Sequence, residues 1–483
     1  MSLAVFRCDA SPQIGGGHVM RCLTLAGMLR DLGWACAFAT SPQSPGTVPA
    51  LSGSGFAVAD SAAMTTHWPS ADLLVVDHYG LEASFERSAR LWAKRILAID
   101  DLANRPHAVD LLLDQTHGRA PSDYAAWHNG AMLLGAAYAL LRPSFQQARA
   151  VALSRRAGNE VARILVSFGA VDAVNATAMA MEAIALAAPG CAVDVVLGSS
   201  APHLADVRLR IAGMPMAALH VDVDNMAALM TDADLALGAP GSSAWERCCL
   251  GLPTLMLAVA DNQHANADAL QAAGAACNLG WHADANAPML AAAIHDFAGD
   301  GDKRRVMAQR AAALCDGRGA FRVALAMLAP RAARDGGSVR LRAAVETDGA
   351  VMLDWQSDPD TRRHARNPAI PSGAEHFAWL ARKLADPNCL FAIVEHDAEA
   401  AGILRLDRRA GPDLAYEVSI VTAPGKRGLG LGPAALALGR ELAPGADLVA
   451  EVLSANTASL ALFERAGYKR ESDGLFHARP GVH

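Results

Sequence analysis

The stretch Ser11-Pro12-Gln13-Ile14-Gly15-Gly16-Gly17-His18-Val19-Met20-Arg21 stands between an apolar run, Ala4 to Arg7, and a helical pattern that places Val19, Cys22, Leu23, Ala26 and Leu29 on one face. Three glycines between a strand and a helix let the backbone turn sharply and aim free amides at an anion, and the helix dipole adds a modest favourable contribution. This reading predicts a strand–loop–helix unit that holds a phosphate-bearing ligand on Gly15, Gly16, Gly17 and Arg21. His18 would lie against that ligand, and imidazole is a side chain able to take a proton from water. Spacing alone leaves a ligand-free turn with a surface histidine equally open.

Outward from this loop, the runs Leu73 to Val76 and Ile96 to Ile99 each end in aspartate, at Asp77 and at Asp100-Asp101. Continuously apolar strands ending in polar loops suit a parallel sheet covered on both faces. The rhythm restarts at Ala162 to Gly169 and continues through Val193 to Leu197, Leu235 to Leu237 and Leu255 to Leu257. The chain therefore reads as α/β, with two tandem Rossmann-like domains at 1–150 and 151–330 facing each other across a cleft. The charged, glycine-ended stretch 331–337, RAARDGG, reads as a linker. Beyond it, strand candidates Phe391 to Glu395, Gly402 to Leu406 and Ala415 to Val421 follow at hairpin spacing, so 338–483 is expected to be an α+β domain with an antiparallel sheet.

Composition agrees with three domains, because 483 residues at roughly 100–200 per domain give about that number. Charged residues make up 19%, yet no run of about 18 apolar residues occurs, which argues against a membrane span. With 42 basic against 49 acidic residues, a net charge of -7 and no basic block, the electrostatic signature of a nucleic-acid binder is missing. A small polyanion held by backbone dipoles is still allowed. The nine cysteines lack any CxxC and mostly sit in apolar segments, as in a reduced, cytoplasmic protein. Arg7 and Asp9 interrupt the N-terminal apolar stretch and argue against a signal peptide.

A second glycine turn, Gly238-Ala239-Pro240-Gly241-Ser242-Ser243, follows the strand Leu235 to Leu237. Gly241 opens it, Ser242 or Ser243 can cap the next helix, and Glu246 one turn inside is placed to accept bonds from sugar hydroxyls or to complement the helix dipole. The polar loop Ala260 to Asn266 includes Asn262 and Gln263, whose amides suit a sugar or base edge as well as ordinary turn chemistry. Asp77/His78 and Asp100/Asp101 lack a complete metal ligand set, so no metal is expected.

Many ordered segments of residues 3–325 resemble the PseG family of UDP-sugar hydrolases of pseudaminic acid biosynthesis, relatives of glycosyltransferase B-fold enzymes such as MurG. They include IGGGHVMRCLTLA at 14–26, VVDHYGLE at 75–82, AIDDLANRPHAVDLLLDQT at 98–116, ILVSFGAVDAVNAT at 164–177, ALGAPGSSAWERCCLGLPTL at 236–255 and DNQHANADALQAAGAA at 261–276. The resemblance implies two domains of glycosyltransferase B type that hydrolyse UDP-2,4-diacetamido-2,4,6-trideoxy-β-L-altropyranose at the anomeric carbon. It makes His18 the base that activates water and Tyr79 its neighbour at the sugar. Asn262 and Gln263 become substrate contacts, and Glu246 matches the glutamate that relatives use on the ribose. Ala170 stands where relatives carry a second glycine.

Residues 339–477 resemble the GNAT N-acetyltransferases. The segment Arg427-Gly428-Leu429-Gly430-Leu431-Gly432 fits their R-x-x-G-x-G loop, and Leu448 to Leu453, Asn456 and Leu462 to Tyr468 fit the family's ending. This implies acetyl-CoA as co-substrate, held by Arg427, Gly428, Gly430, Gly432 and Asn456, with Glu417 as a base acting through water. Phe463 departs from the tyrosine that many members use as general acid. The combined expectation is a bifunctional cytoplasmic enzyme that acetylates the 4-amino group of a UDP-linked diamino-trideoxy sugar and then releases UDP, with no nucleic-acid or membrane partner. A glycosyltransferase of MurG type and a catalytically silent nucleotide-sugar-binding protein are the alternatives.

Overall fold

Strand Ala71–Asp77 is buried at every position but one, and Leu235–Gly238 and Thr254–Ala258 are buried throughout. Such strands have no wet face, so helices must cover both sides of their sheets. The computed structural model describes residues 2–11, 13–158, 160–187 and 190–480. Pro12 of the first glycine loop, and Met1 and His483 at the limits of the expected domains, lie outside them.

The first sheet contains β1 (Leu3–Cys8), β2 (Ala35–Thr40), β3 (Ala57–Asp60), β4 (Ala71–Asp77), β5 (Ala93–Ile99), β6 (Leu111–Asp114) and β7 (Ala131–Leu134), in the order β3-β2-β1-β4-β5-β6-β7. Its pairs β1–β4, β2–β3, β4–β5, β5–β6 and β6–β7 are parallel. The second sheet contains β8 (Arg163–Ser167), β9 (Ala192–Leu197), β10 (Ala217–Val221), β11 (Leu235–Gly238), β12 (Thr254–Ala258) and β13 (Cys277–Trp281), in the order β10-β9-β8-β11-β12-β13. It is parallel throughout. The α/β class and the two tandem Rossmann-like sheets expected from the sequence are present. In both, the strand order reverses beside the first strand, between β1 and β4 and between β8 and β11. Loops leaving the carboxyl ends of such a pair diverge and open a crevice, which is where open α/β sheets bind ligands. The glycine loop leaves β1, and the turn Ala239–Ser243 leaves β11.

The third sheet contains β14 (Arg331–Ala332), β15 (Ser338–Ala343), β16 (Cys389–His396), β17 (Glu399–Arg408), β18 (Ala415–Thr422), β19 (Asp447–Glu451), β20 (Lys469–Ser472) and β21 (Leu475–Ala478). Its order is β14-β15-β16-β17-β18-β19-β21-β20, antiparallel except for the parallel pair β18–β19. That pair runs only from Ala415↔Asp447 to Glu417↔Val449, after which the two strands part. The stretch RAARDGG is a correction to the expected linker: Arg331 and Ala332 pair with Val339 and Ser338, and Asp335 Oδ1 accepts from Gly337 N at 3.0 Å, closing a hairpin.

The chain folds as two compact units, one of Ala4–Ala26 and Cys36–Ala320, the other of Gly27–Ala35 and the chain from Phe321, with Ser2 and Leu3. The first unit holds both switch-point crevices. All nine cysteines are free thiols. Among the described residues no helix is long and apolar enough to cross a membrane.

Candidate active sites

The loop from Ser11 to Gly16 leaves β1 and closes on itself, with Gly15 N donating to Ser11 O at 2.8 Å, and the helix Gly17–Asp31 follows. Its first-turn amides have no intrahelical acceptor and point out of the helix end. His18, one residue into the helix, turns inward and is buried. Its Nδ1 lies 2.5 Å from Oδ1 of Asp77, the last residue of β4, so the helix after β1 and the end of β4 supply one side chain each at the switch point. Arg21, one turn on, donates from Nε to Asp77 Oδ2 at 2.6 Å, from Nη2 to Asp77 Oδ1 at 2.7 Å and from Nη1 to Asp101 Oδ2 at 3.0 Å.

Burial alone would raise the Asp77 pKa, but the Arg21 guanidinium and His18 beside it hold the carboxyl well below the usual carboxylate range. Asp77 is therefore charged and accepts from His18 Nδ1–H, which leaves Nε2 as the basic nitrogen. Tyr79 stands edge-on to the imidazole with ring centroids 4.6 Å apart. Its hydroxyl donates to Asp101 Oδ1 at 2.8 Å and accepts from Asn262 Nδ2 at 3.0 Å, a bond between the two Rossmann-like domains. Burial and the Asp101 carboxylate push the phenol up, so it stays a neutral donor.

Asp101 is itself anchored, because its carbonyl accepts from Arg119 Nη2 at 2.8 Å and Arg119 Nε pairs with Asp114. Next to it, Tyr124 donates to Asp114 Oδ2 at 2.9 Å and Asp100 Oδ2 at 3.1 Å, and His107 sits between Glu86 at 2.7 Å and Asp100 at 3.7 Å. These groups fix the loops that present Tyr79 and Asp101.

Across the crevice, a Cβ added to Gly17 would stand 3.5 Å from Ser242 Oγ, which brings the two glycine turns together. Ser242 is the cap position of the helix Ser243–Cys249, and its hydroxyl makes no capping bond. Gln263 Oε1 accepts from Val259 N at 2.9 Å and holds its own loop, while its neighbour Asn262 reaches Tyr79. Glu246 lies 3.8 Å from Arg142, and burial pushes its carboxyl up. Ala170 is pressed against Gly198, whose N donates to Ala170 O at 2.8 Å.

In the other unit, the loop after β18 leads to the helix Leu431–Leu442. Gly430, its cap, has φ +82°, a left-handed conformation that a glycine adopts without penalty, and Gly428 has φ +83°. Arg427 donates to Asp358 Oδ1 and to Thr361 Oγ1, both at 2.8 Å, so its guanidinium steadies the loop. Glu417, at the point where β18 and β19 part, accepts from Arg366 Nη2 at 2.7 Å, and Arg366 also reaches Glu451 on β19 at 3.0 Å. The side-chain oxygen of Asn456 caps the helix Thr457–Arg465 by accepting from Ser459 N at 3.0 Å. Phe463 packs in the core against Tyr468 and Phe476.

Residues 338–469 match the acetyltransferase (GNAT) domain family. The C-terminal domain is a GNAT domain. Its left-handed glycines and parting strands fit a pantetheine-bearing cofactor laid against backbone amides. Curated relatives match the chain as well. The spore coat polysaccharide biosynthesis protein SpsG of Bacillus subtilis is 29% identical over 218 residues, covering 43% of this chain and 62% of that protein. The UDP-2,4-diacetamido-2,4,6-trideoxy-β-L-altropyranose hydrolase of Campylobacter jejuni is 32% identical over 149 residues, covering 30% of this chain and 53% of that protein. The chain spans between about half and two thirds of the length of the curated relatives it matches. Among solved structures, MurG of Acinetobacter baumannii aligns with a TM-score of 0.49 at 14% identity, over 67% of this chain and 98% of that one.

The structure thus brings His18, Arg21, Tyr79 and Asn262 into one hydrogen-bonded group with Asp77 and Asp101, sets Gly17 of the first glycine turn beside Ser242 of the second, and leaves Glu246 beside Arg142. Asp77 and Asp101 are central to that group, and the sequence reading had left them as strand-end polar residues. Their signal was positional: each follows the carboxyl end of a parallel strand near the switch point.

Proposed function

We propose that the two Rossmann-like domains form a UDP-sugar hydrolase and that the GNAT domain N-acetylates an amino sugar of the same pathway. The hydrolase substrate in this reading is UDP-2,4-diacetamido-2,4,6-trideoxy-β-L-altropyranose, and the acetyl acceptor is its 4-amino precursor. The observation that carries the reading is the buried His18–Asp77 pair, 2.5 Å apart at the switch point. Water loses a proton to His18 Nε2 as its oxygen attacks the anomeric carbon with inversion. The bond from that carbon to the diphosphate oxygen breaks, and its electron pair leaves with UDP. Asp77 stabilises the imidazolium, and Tyr79 and Asn262 orient the sugar and the water. Amides of the first glycine loop and hydroxyls of the second turn receive the growing negative charge without a metal.

In the GNAT domain, acetyl-CoA supplies the acetyl group. Gly428 and Gly430 shape the loop that would hold its pyrophosphate, and Glu417 would take a proton from the acceptor amine through a water molecule. The chain acts in the cytoplasm in this reading. Incubation with the diacetamido UDP-sugar in water, with chelator present, is expected to release UDP and the free sugar, and His18→Ala is expected to abolish it. Undiminished release by that variant would overturn the role of His18. UDP binding without turnover would point to a silent binding protein, and transfer only to an added alcohol would point to a glycosyltransferase. Free thiol should appear with acetyl-CoA and the 4-amino UDP-sugar, and its absence would overturn the proposed acceptor.

A further inference from the structure

Arg247 is 2% exposed and among the largest fully buried side chains of the protein. It lies beneath the second glycine turn. Nη2 donates to Ala239 O at 2.5 Å, Nη1 donates to Ser243 Oγ at 3.1 Å, and Nε is buried with no hydrogen-bond partner. A Cβ on Gly238 would stand 2.8 Å from Nη1 and 2.6 Å from Ser167 O, so the guanidinium is wedged directly under the end of β11 and only glycine fits above it. Among the described residues Arg247 forms no ion pair. The adjacent carboxylate, Glu246, faces Arg142 instead. Burial holds the Arg247 guanidinium down to about 10, against the smaller upward pull of Cys248 and Glu246.

A buried cation without a counter-ion is destabilising by several kcal/mol unless something compensates it. Among the described residues no carboxylate pairs with it, and its printed acceptors, the Ala239 carbonyl and the Ser243 hydroxyl, are neutral. A diphosphate at the turn Ala239–Ser243 would supply the missing negative charge. The Ser243 hydroxyl supplies the route: its oxygen accepts from a cationic donor, so its own proton remains free to be given to a phosphate oxygen, and the charged donor strengthens that bond.

We infer that Arg247 is a positioning residue for the diphosphate, acting through the Ser243 hydroxyl. The inference rests on the reading of the crevice as a UDP-sugar site and deepens it by naming the cation that balances the phosphates. It also accounts for the scarcity of exposed basic side chains on the glycine turns, since the balancing charge lies under the second turn.

Calorimetry on the full chain with UDP and with uridine tests it, using Arg247→Met, Arg247→Lys, Ser243→Ala and the Arg247→Met/Ser243→Ala pair. Arg247→Met is expected to weaken UDP about 10-fold or more while leaving uridine nearly unchanged, and to keep or raise the thermal midpoint of the apo protein. Arg247→Lys should recover most of the UDP affinity. The double variant should bind UDP no more weakly than the weaker single variant, because both changes break one relay. UDP affinity of Arg247→Met within about twofold of wild type, equal losses for UDP and uridine, or additive losses in the double variant would each overturn the inference. Should Arg247→Met fail to fold, Arg247→Gln, which also removes the charge, takes its place in the same cycle. Failure of the wild-type protein to bind UDP would instead sink the reading of the crevice itself, and the inference with it.

Discussion

His18 Nδ1 and Asp77 Oδ1 lie 2.5 Å apart although they are 59 positions apart in the chain, and Asp77 also accepts two bonds from Arg21. The carboxylate thus has two partners with different tasks: Arg21 keeps it charged, and His18 uses that charge. Changing Asp77 to asparagine removes the charge, offers Nδ1 either a donor or an acceptor, and leaves the buried Arg21 with Asp101 as its carboxylate partner. Asp77→Asn is expected to lower kcat for UDP release by about 10²–10⁴ and to destabilise the fold by roughly 3–5 kcal/mol. The sign of the pH effect follows from the lowered folded pKa. The stabilisation is present above the unfolded value of about 3.9 and is lost as pH falls toward the folded one. Urea denaturation should therefore show the gap between wild type and variant closing below about pH 4.

Tyr79 and Asn262 form one relay to Asp101, so their losses should not add. Tyr79→Phe and Asn262→Ala are each expected to reduce kcat/KM by about 10-fold, and the double variant by little more than either alone. Steady-state kinetics of the four proteins measures this, and additive losses would show that the two side chains act separately.

His107 gives a pH dependence of opposite sign. Burial disfavours its charged form, but Asp100 and Glu86 outweigh it and raise the pKa to about 9. The stability this contributes is fully present below the unfolded value of about 6.5 and disappears as pH rises through about 9. The thermal midpoint of the wild type should fall between pH 7 and pH 9.5, and His107→Gln should flatten that slope. An unchanged slope in the variant would remove His107 from the account.

Gly430 separates backbone strain from chemistry in the GNAT domain. An alanine there must keep φ +82° with its Cβ 3.0 Å from Arg334 Cγ. Gly430→Ala is expected to cost about 1–2 kcal/mol in domain stability and to weaken CoA binding, with UDP binding unaffected. Calorimetry with each ligand checks both halves.

Much of the architecture was legible along the chain. β4, β5, β8, β11 and β12 each contain a continuous apolar run, and a buried parallel strand imprints that pattern regardless of its neighbours. The hairpin at 331–337 was also written locally, since Asp335-Gly336 is a turn signal and Gly336 adopts φ +89°. Charge and brevity made the stretch resemble a linker. The resemblance makes Asn456 a cofactor contact, and in the structure its side-chain oxygen also caps the helix Thr457–Arg465, which depends on where Thr457 begins the helix.

The sequence by itself determined the elements and the two glycine turns, because strand burial, turn conformation and helix starts are set by residues within a few positions of each other. Only the tertiary structure decided the chemistry of the crevice. It brought Asp77 to His18, Asp101 to Tyr79, and Asn262 across from the second domain, and it left Arg247 buried with no carboxylate. Charge state and hydrogen-bond roles depend on burial and on partners tens to hundreds of residues away, and those quantities exist only once the strands have paired.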